Sequence, residues 1–502
     1  MSVISSCWCT DITVILATCV LSVIVFFKWR YRYWEVRGVP YVKPSIPFGS
    51  MLNPFWPTHS FGELMRLQYE ESKRMGRDYV GLYTLWIPAF MPITIDLIKD
   101  VMAKDFNYFV DRGFYFNEKD DPLSAHLFSL EGAKWRKLRA KLTPTFTSGK
   151  MKMMFRIVLT CGKQLTEAME QNHNRHVPVD IKDLLSRFGT NVIGSCAFGI
   201  DCNGFEDPNS DFRRFAKRAF VRTKWENLTA FFSFANPNLA RKLGVCFTPQ
   251  TVSTFFSNLM KQVVEYRESN KTNRDDFLQI LLDLKNNSDD PLTLEELTAQ
   301  AFLFFIAGLE TSSTTMTFCL YELANDQDIQ DKVREEIRSV MASHKGEISY
   351  EAIREMKYMK QVIDETLRKY PPLPMLNRKC VMDYKVPGTD FLIEKGTSVV
   401  IPLYGLHHDP EYFPDPERFD PERFNEENKK KMVPYSYMPF GEGPRLCIGL
   451  RFGLMQTGIG LALLLDKFRF SVNEMTRVPF AMDPSNFVLS AIGDIWLNVD
   501  KV

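Results

Sequence analysis

A mainly α-helical fold with small β-sheets, carried behind one amino-terminal membrane-crossing helix, is what this 502-residue sequence predicts. Three observations lead there. Apolar residues recur at helical spacing over Phe61–Lys73, Met151–Asn172 and Ile181–Phe198, and clean alternating strands are few. A stretch from Leu292 to Asn325 contains no proline and predicts a helix about 50 Å long. Ile12–Phe27 is apolar and uncharged throughout.

The amino terminus comes first. Ile12–Phe27 alone reaches about 24 Å as a helix, and the uncharged residues ahead of Asp11 lengthen the span toward bilayer thickness. Lys28, Arg30 and Arg32, interleaved with Trp29, Tyr31, Tyr33 and Trp34, then form a basic, aromatic belt that sets the rest of the chain on the cytosolic side. A cleaved signal peptide would need a positive n-region and a small-residue cleavage site, and neither stands before the basic cluster. The expected organisation is an anchor with its belt over 1–34, a Pro/Gly linker over 35–49 and one large unit over 50–502. Sequons begin at Asn227, Asn270 and Asn286, and a cytosolic unit would leave them unglycosylated.

Composition narrows the function. Net charge is +1, so nothing draws the whole chain to nucleic acid. Hydrophobic residues make up 45% of it, 40 of them phenylalanine, enough for a large core. The ten cysteines are scattered with no repeated CxxC pair, against both a disulfide framework and a zinc ribbon and in favour of a reducing compartment. His407-His408 and His173-x-x-His176 read as loop or surface histidines without metal-ligand spacing.

Further along, Asp111–Ser129 is loop-like and holds Arg112, Phe114, Phe116 and His126. Trp135 and Arg139, four apart, present an indole N–H and a guanidinium on one helix face, two donors suited to a carboxylate. Phe205–Leu259 is crowded with aromatics, among them Phe231, Phe232, Phe234, Phe247, Phe255 and Phe256. These serve either as core or as an exposed apolar flap touching lipid. In the middle of the long helix Ala307 and Thr311 share a face, and Gly308 permits close approach where the Thr311 hydroxyl can disturb the i to i−4 bond. Glu365 and Arg368 stand at i, i+3 just before Pro371 and Pro372. Finally Phe440-Gly-Glu-Gly-Pro-Arg-Leu-Cys-Ile-Gly449 makes a tight loop around Cys447, with Arg445 nearby and an apolar helical run behind. Such a loop offers a shielded thiolate to a metal.

Phe440, Gly443, Arg445, Cys447 and Gly449 resemble the haem-binding signature of the cytochrome P450 family. Ala307–Ser312, Glu365–Arg368 with Arg423, and Trp135–Arg139 resemble three further motifs of that family, in the same order. The resemblance covers essentially residues 50–500 and implies a triangular helical prism around haem b, iron protoporphyrin IX. Cys447 would be the axial thiolate, which pushes electron density toward bound oxygen, with Phe440 and Gly441 in the cofactor loop. Trp135, Arg139, Arg378, Arg445 and Arg112 would hold propionates. Thr311 and Glu310 would manage protons, and Glu365, Arg368 and Arg423 would form a buried structural network. The implied substrate contacts are Phe114, Phe116, Phe304, Ala307, Met375, Leu376 and Phe487.

The same resemblance implies a microsomal monooxygenase of the endoplasmic reticulum membrane. NADPH-cytochrome P450 reductase would supply its electrons, docking on Lys134, Arg136, Lys137 and Lys141 and on Lys429–Lys431, with cytochrome b5 as a second partner. His126-Leu-Phe-Ser-Leu, Ser195-Cys-Ala-Phe-Gly and Pro144-Thr-Phe-Thr-Ser-Gly are similar to the insect xenobiotic-oxidising group. That likeness implies lipophilic substrates such as insecticides or plant toxins. The alternatives are an endogenous hormone or fatty acid as substrate, or a haem isomerase, dehydratase, carrier or sensor.

Overall fold

The computed structural model describes residues 8–53, 57–207, 209–221, 223–286 and 290–502, without the side chains of 8–10, 224, 231 and 235. Expectations for Cys7, for the residues ahead of position 8, for the Cys9 and Phe231 side chains and for the Asn286 sequon past its first residue lie outside that range. Mainly helical architecture with small sheets is what it shows.

Each helix expected from periodicity is present, with ends set by local chemistry. The first runs Phe61–Arg74, started by a reciprocal cap between Ser60 and Glu63. The second extends over Ser148–Asn174, and the third, Ile181–Ile193, is N-capped by Asp180. The long helix begins at Leu294, where Thr293 and Glu296 form another reciprocal cap, and continues to Asn325. It is the central strut of the molecule. Two glycines let helix Ile181–Ile193 lie close against it. A Cβ on Gly308 would fall 2.6 Å from Ile193, and one on Gly189 would fall 2.8 Å from Leu309. The approach expected at Gly308 is therefore helix packing. On another side comes helix Leu450–Lys467, where a Cβ on Gly460 would fall 2.6 Å from the Met316 sulfur.

The largest sheet orders its strands Tyr79–Thr84, Ile87–Pro92, Ser398–Ile401, Leu376–Lys379. Its central pair is parallel, with Ala89 opposite Ser398. A three-stranded sheet joins Val179–Asp180, Trp496–Lys501 and Phe468–Val472, and a two-stranded one joins Tyr384–Lys385 and Leu392–Ile393.

Trp8–Arg30 is one helix whose side chains from Ile12 to Phe26 are mostly exposed, an apolar surface that suits lipid. Its last turn departs from expectation. Of the expected belt, Trp29 is exposed, whereas Tyr31 and Trp34, with Phe27 ahead of them, are buried against the largest sheet. The Trp34 indole donates to Leu82 O at 2.9 Å, and a Cβ on Gly81 would fall 2.5 Å from the Trp34 ring. Residues 35–49 are likewise docked: Val42 N donates to Gly81 O and Gly81 N to Pro40 O. The boundaries expected at 34/35 and 49/50 thus fall inside packed structure, because the aromatics complete the sheet's hydrophobic face.

The aromatic stretch 205–259 divides between its two readings. Phe212 and Phe256 are core, whereas Trp225, Leu228, Leu239 and Leu243 are exposed. His407 and His408 are not surface residues. Both are buried around helix Leu403–His407, where His407 Nε2 accepts from Met438 N at 3.1 Å.

Candidate active site around the Cys447 loop

The cysteine loop is tightened by glycine where contact demands it. Gly443 has φ +70° and a Cβ there would fall 2.1 Å from Met102 O, so no side chain fits. Gly441 also has positive φ, and its amide donates to Met438 O. The Cys447 amide closes the loop on Phe440 O at 3.0 Å. The amides of Gly449 and Leu450, at the start of helix Leu450–Lys467, and the guanidiniums of Arg112 and Arg139 lie near enough to the sulfur to favour its charged form. Burial pushes the thiol above its ordinary pKa, and those four groups pull the other way. Cys447 nonetheless presents accessible surface, as does Ala307 in the middle of the mostly buried long helix. Surface exposed at such interior positions belongs to an inner concavity.

Four arginines gather near the sulfur. Arg112 donates to Arg445 O at 3.0 Å and Arg139 to Leu446 O at 2.9 Å, so both grip the loop's backbone. Arg378 lies buried on its strand with Nε unpartnered. Burial first pushes Arg112, Arg139, Arg378 and Arg445 below the ordinary arginine value; mutual repulsion adds to this, with Arg112 acting on both Arg378 and Arg445. Arginines stay charged, so the cluster calls for anions. Against it stand the Cys447 thiol and Asp111, 3.6 Å from Arg445, with Glu131 farther off. An accessible sulfur with amides near it, next to a surplus of buried guanidiniums, fits an iron porphyrin with two carboxylates.

The arginines do not play one role. Arg445 directs Nε, Nη1 and Nη2 to the carbonyls of Val110, Leu127 and Leu130, which braces the 110–130 segment against the cysteine loop. Trp135 is buried beneath it. On the long helix, Thr311 Oγ1 donates to Ala307 O at 2.6 Å. Glu310, one position and about 100° away, faces elsewhere. It lines a crevice of about 240 Å³ with Lys182, Ser313 and Thr317, and burial raises its pKa while Lys182 lowers it.

The cytochrome P450 family model matches residues 46–497. The chain belongs to the cytochrome P450 family. In Drosophila melanogaster, probable cytochrome P450 6a14 is 43% identical over 489 residues, covering 94% of this chain and 96% of that protein. Cytochrome P450 6a8 is 42% identical over 497 residues, covering 97% and 98%. Cytochrome P450 6a2 is 41% identical over 506 residues, covering 98% and 100%. Haem-dependent monooxygenase chemistry comes with P450 membership.

Within this P450, Glu365 and Arg368 have no exposed side-chain surface and pair at 2.7 and 2.9 Å. Arg423 stands 3.4 Å from Glu365, and Arg368 also donates to the carbonyls of His407 and Pro416. Phe114 sits in an aromatic group with Phe128, Phe234 and Phe487, ring centres 5.0 to 6.3 Å apart. Leu376 reaches the cysteine loop at Gly441, and Met375 beside it is half-buried. Phe116 stands apart under Arg241. Phe304 is no pocket residue, since it packs on Phe146, Phe277 and Phe452 in the core between helices. Phe128, His407 and Lys182 were not singled out for these roles. In the sequence Phe128 lies beside His126 in the loop and His407 stands in a His-His pair, whereas Lys182 carries no signal.

Proposed function

We propose that this P450 is a microsomal monooxygenase that oxidises lipophilic small molecules, including xenobiotics such as insecticides and plant toxins. The observation that carries the haem site is the accessible Cys447 in a loop closed on Phe440 O, with Arg112 and Arg139 bonded to the loop backbone at Arg445 O and Leu446 O. Cys447 would ligate haem iron, and Arg112, Arg139 and Arg378 would meet its carboxylates. Bound there, haem supplies reductive activation of dioxygen. The amides and guanidiniums offset part of the desolvation that keeps the sulfur a thiol, and iron binding would complete its conversion to thiolate. Thr311 Oγ1, anchored on the Ala307 carbonyl, is a hydroxyl able to take and pass on a proton at the accessible face of the helix. Glu310, whose carboxyl holds its proton to higher pH than usual, is a reservoir on the adjoining face.

Phe114, Phe128, Phe234 and Phe487 would receive substrate through apolar contact, which excludes water and gives little polar discrimination. Electrons would come from NADPH by way of its reductase, with cytochrome b5 as a second donor. Part of the basic outer face is already paired, Lys134 with Glu118 and Lys137 with Asp290, so Arg136 and Lys430 are the cations we assign most weight in docking. Exposed Trp225, Leu228 and Leu243 would rest on the endoplasmic reticulum membrane beside the Trp8–Arg30 anchor.

The test is the carbon monoxide difference spectrum of the reduced, membrane-expressed protein beside Cys447→Ala. A strongly red-shifted Soret band in the wild type alone supports the site. A folded, haem-loaded wild type lacking that band overturns it.

A further inference from the structure

Away from the cysteine site lies a second cavity of about 600 Å³, within the range of roughly 300–1,000 Å³ typical of small-molecule sites. It opens between helix Phe61–Arg74, the carboxyl end of the long helix and the segment 479–482, and none of its lining residues belongs to the Cys447 site. Its walls are aromatic: Tyr321, Tyr370, Tyr404 and Phe480. Phe480 is fixed edge-on to Tyr321, ring centres 4.8 Å apart, and Phe318 stacks on both Tyr370 and Phe480.

The charges are unequal. Four carboxylates line the cavity, Glu63, Glu70, Glu322 and Glu417, against two full cations, Arg66 and Lys369, a balance of −2. The cations are already engaged. Arg66 bridges Glu70 and Glu417 at 2.7 Å each, and Lys369 joins the Tyr370 hydroxyl on Glu322 Oε1. Burial keeps His408 neutral. Aromatic faces with surplus negative charge recognise an organic cation through cation–π contact and carboxylate attraction.

The cavity walls are also the roots of the loops that carry the proposed substrate contacts. Tyr370 leads directly into Pro372–Leu376, and Met482 into the loop bearing Phe487. Leu489 N donates to Pro372 O at 2.9 Å, Tyr404 N to Pro374 O at 2.8 Å, and Asp483 N to Ser490 O at 2.7 Å. These bonds are the route by which a shift of the wall would reach both loops.

We propose that this cavity is a second, effector site for an aromatic organic cation, whose occupancy alters how the substrate pocket positions its substrate. The positioning effect rests on the pocket reading above; binding does not. The experiment is calorimetric titration of benzyltrimethylammonium into full-length, haem-loaded protein whose pocket is capped with phenylimidazole. It is compared with Leu67→Trp, which fills the exposed mouth, and with the Glu70→Gln/Glu417→Gln double variant. One-to-one binding is expected, weakened at least tenfold in both variants. Without the cation, both variants should turn over a lipophilic substrate as the wild type does. With it, the product ratio should shift in the wild type alone. No binding, or equal binding in all three proteins, overturns the site. Binding with an unchanged product ratio overturns the effector role. An enzyme without oxygenase activity would leave the calorimetric result readable, so failure of the function and failure of the site are distinguishable.

Discussion

The Arg445 guanidinium lies 3.8 Å from the centre of the Trp135 ring, so a helix near the amino end of the domain and the cysteine loop near its carboxyl end are stacked on each other. The contact is buried on both sides, and Phe106 packs on the same indole. Trp135→Ala should therefore lose about 3–5 kcal/mol of stability, as large aromatic truncations in cores do. Trp135→Phe should lose much less. Thermal unfolding of the two variants, with haem bound per polypeptide measured alongside, checks this; equal midpoints would show that the stack contributes little.

His407 makes stability depend on pH. Burial holds its pKa down at about 3, and its Nε2 must stay unprotonated to accept from Met438 N. In the unfolded chain it titrates near the ordinary 6.5. Below pH 6.5 the unfolded state binds a proton that the folded state refuses, so stability present above that pH is lost progressively toward pH 3, by about 1.4 kcal/mol per unit. His126, lowered to about 4, contributes in the same direction. His407→Gln, which can still accept from Met438, should show a shallower loss between pH 6.5 and 5, read by chemical unfolding at each pH. An unchanged slope in the variant would locate the acid sensitivity elsewhere.

Much of this architecture was legible because it is written locally. The long helix, its Thr293 start and the Cys447 loop each depend on residues a few positions apart, and so does the Glu365–Arg368 pair. What could not be read is which neighbour a side chain meets across the fold. Phe304 and Phe114 look alike in sequence, yet one packs between helices and the other joins an open aromatic group. Trp34 beside a long apolar helix has the composition of an interfacial belt, and only the sheet it completes makes it core. Arg445 was placed correctly near the cysteine, but its carbonyl partners lie more than 300 positions earlier.

Arg368 should not tolerate lysine. It places two guanidinium nitrogens on Glu365 and reaches the His407 and Pro416 carbonyls as well, and a single ammonium cannot reproduce that fork. Breaking a fully buried pair costs about 3–5 kcal/mol. Arg368→Lys and Glu365→Gln should both express with sharply reduced folded, haem-containing yield, and a variant with normal yield and unfolding midpoint would refute the argument.

Replacing Thr311 would test the proposed proton path apart from folding. Its hydroxyl donates to the carbonyl of its own helix, so replacing it disturbs no contact between elements. Thr311→Val should keep the wild-type unfolding midpoint while product formed per NADPH consumed falls severalfold, and Thr311→Ser should restore most of that ratio. Equal ratios for valine and serine would remove the hydroxyl from the proton path.

Phe114 and Phe304 should respond oppositely to the same truncation. Phe304 stacks on Phe277 at 4.5 Å between ring centres and touches Phe146 and Phe452, so Phe304→Ala opens a core cavity and should cost about 3–5 kcal/mol. Phe114 is half-buried and meets Phe234 and Phe487, the latter on an exposed loop. Its loss leaves space where substrate would lie, so Phe114→Ala should redistribute products with little change in midpoint. Measuring unfolding and product distribution for both variants decides the matter. If Phe114→Ala destabilises as much as Phe304→Ala and leaves products unchanged, the Phe114 group is core and the substrate pocket lies elsewhere.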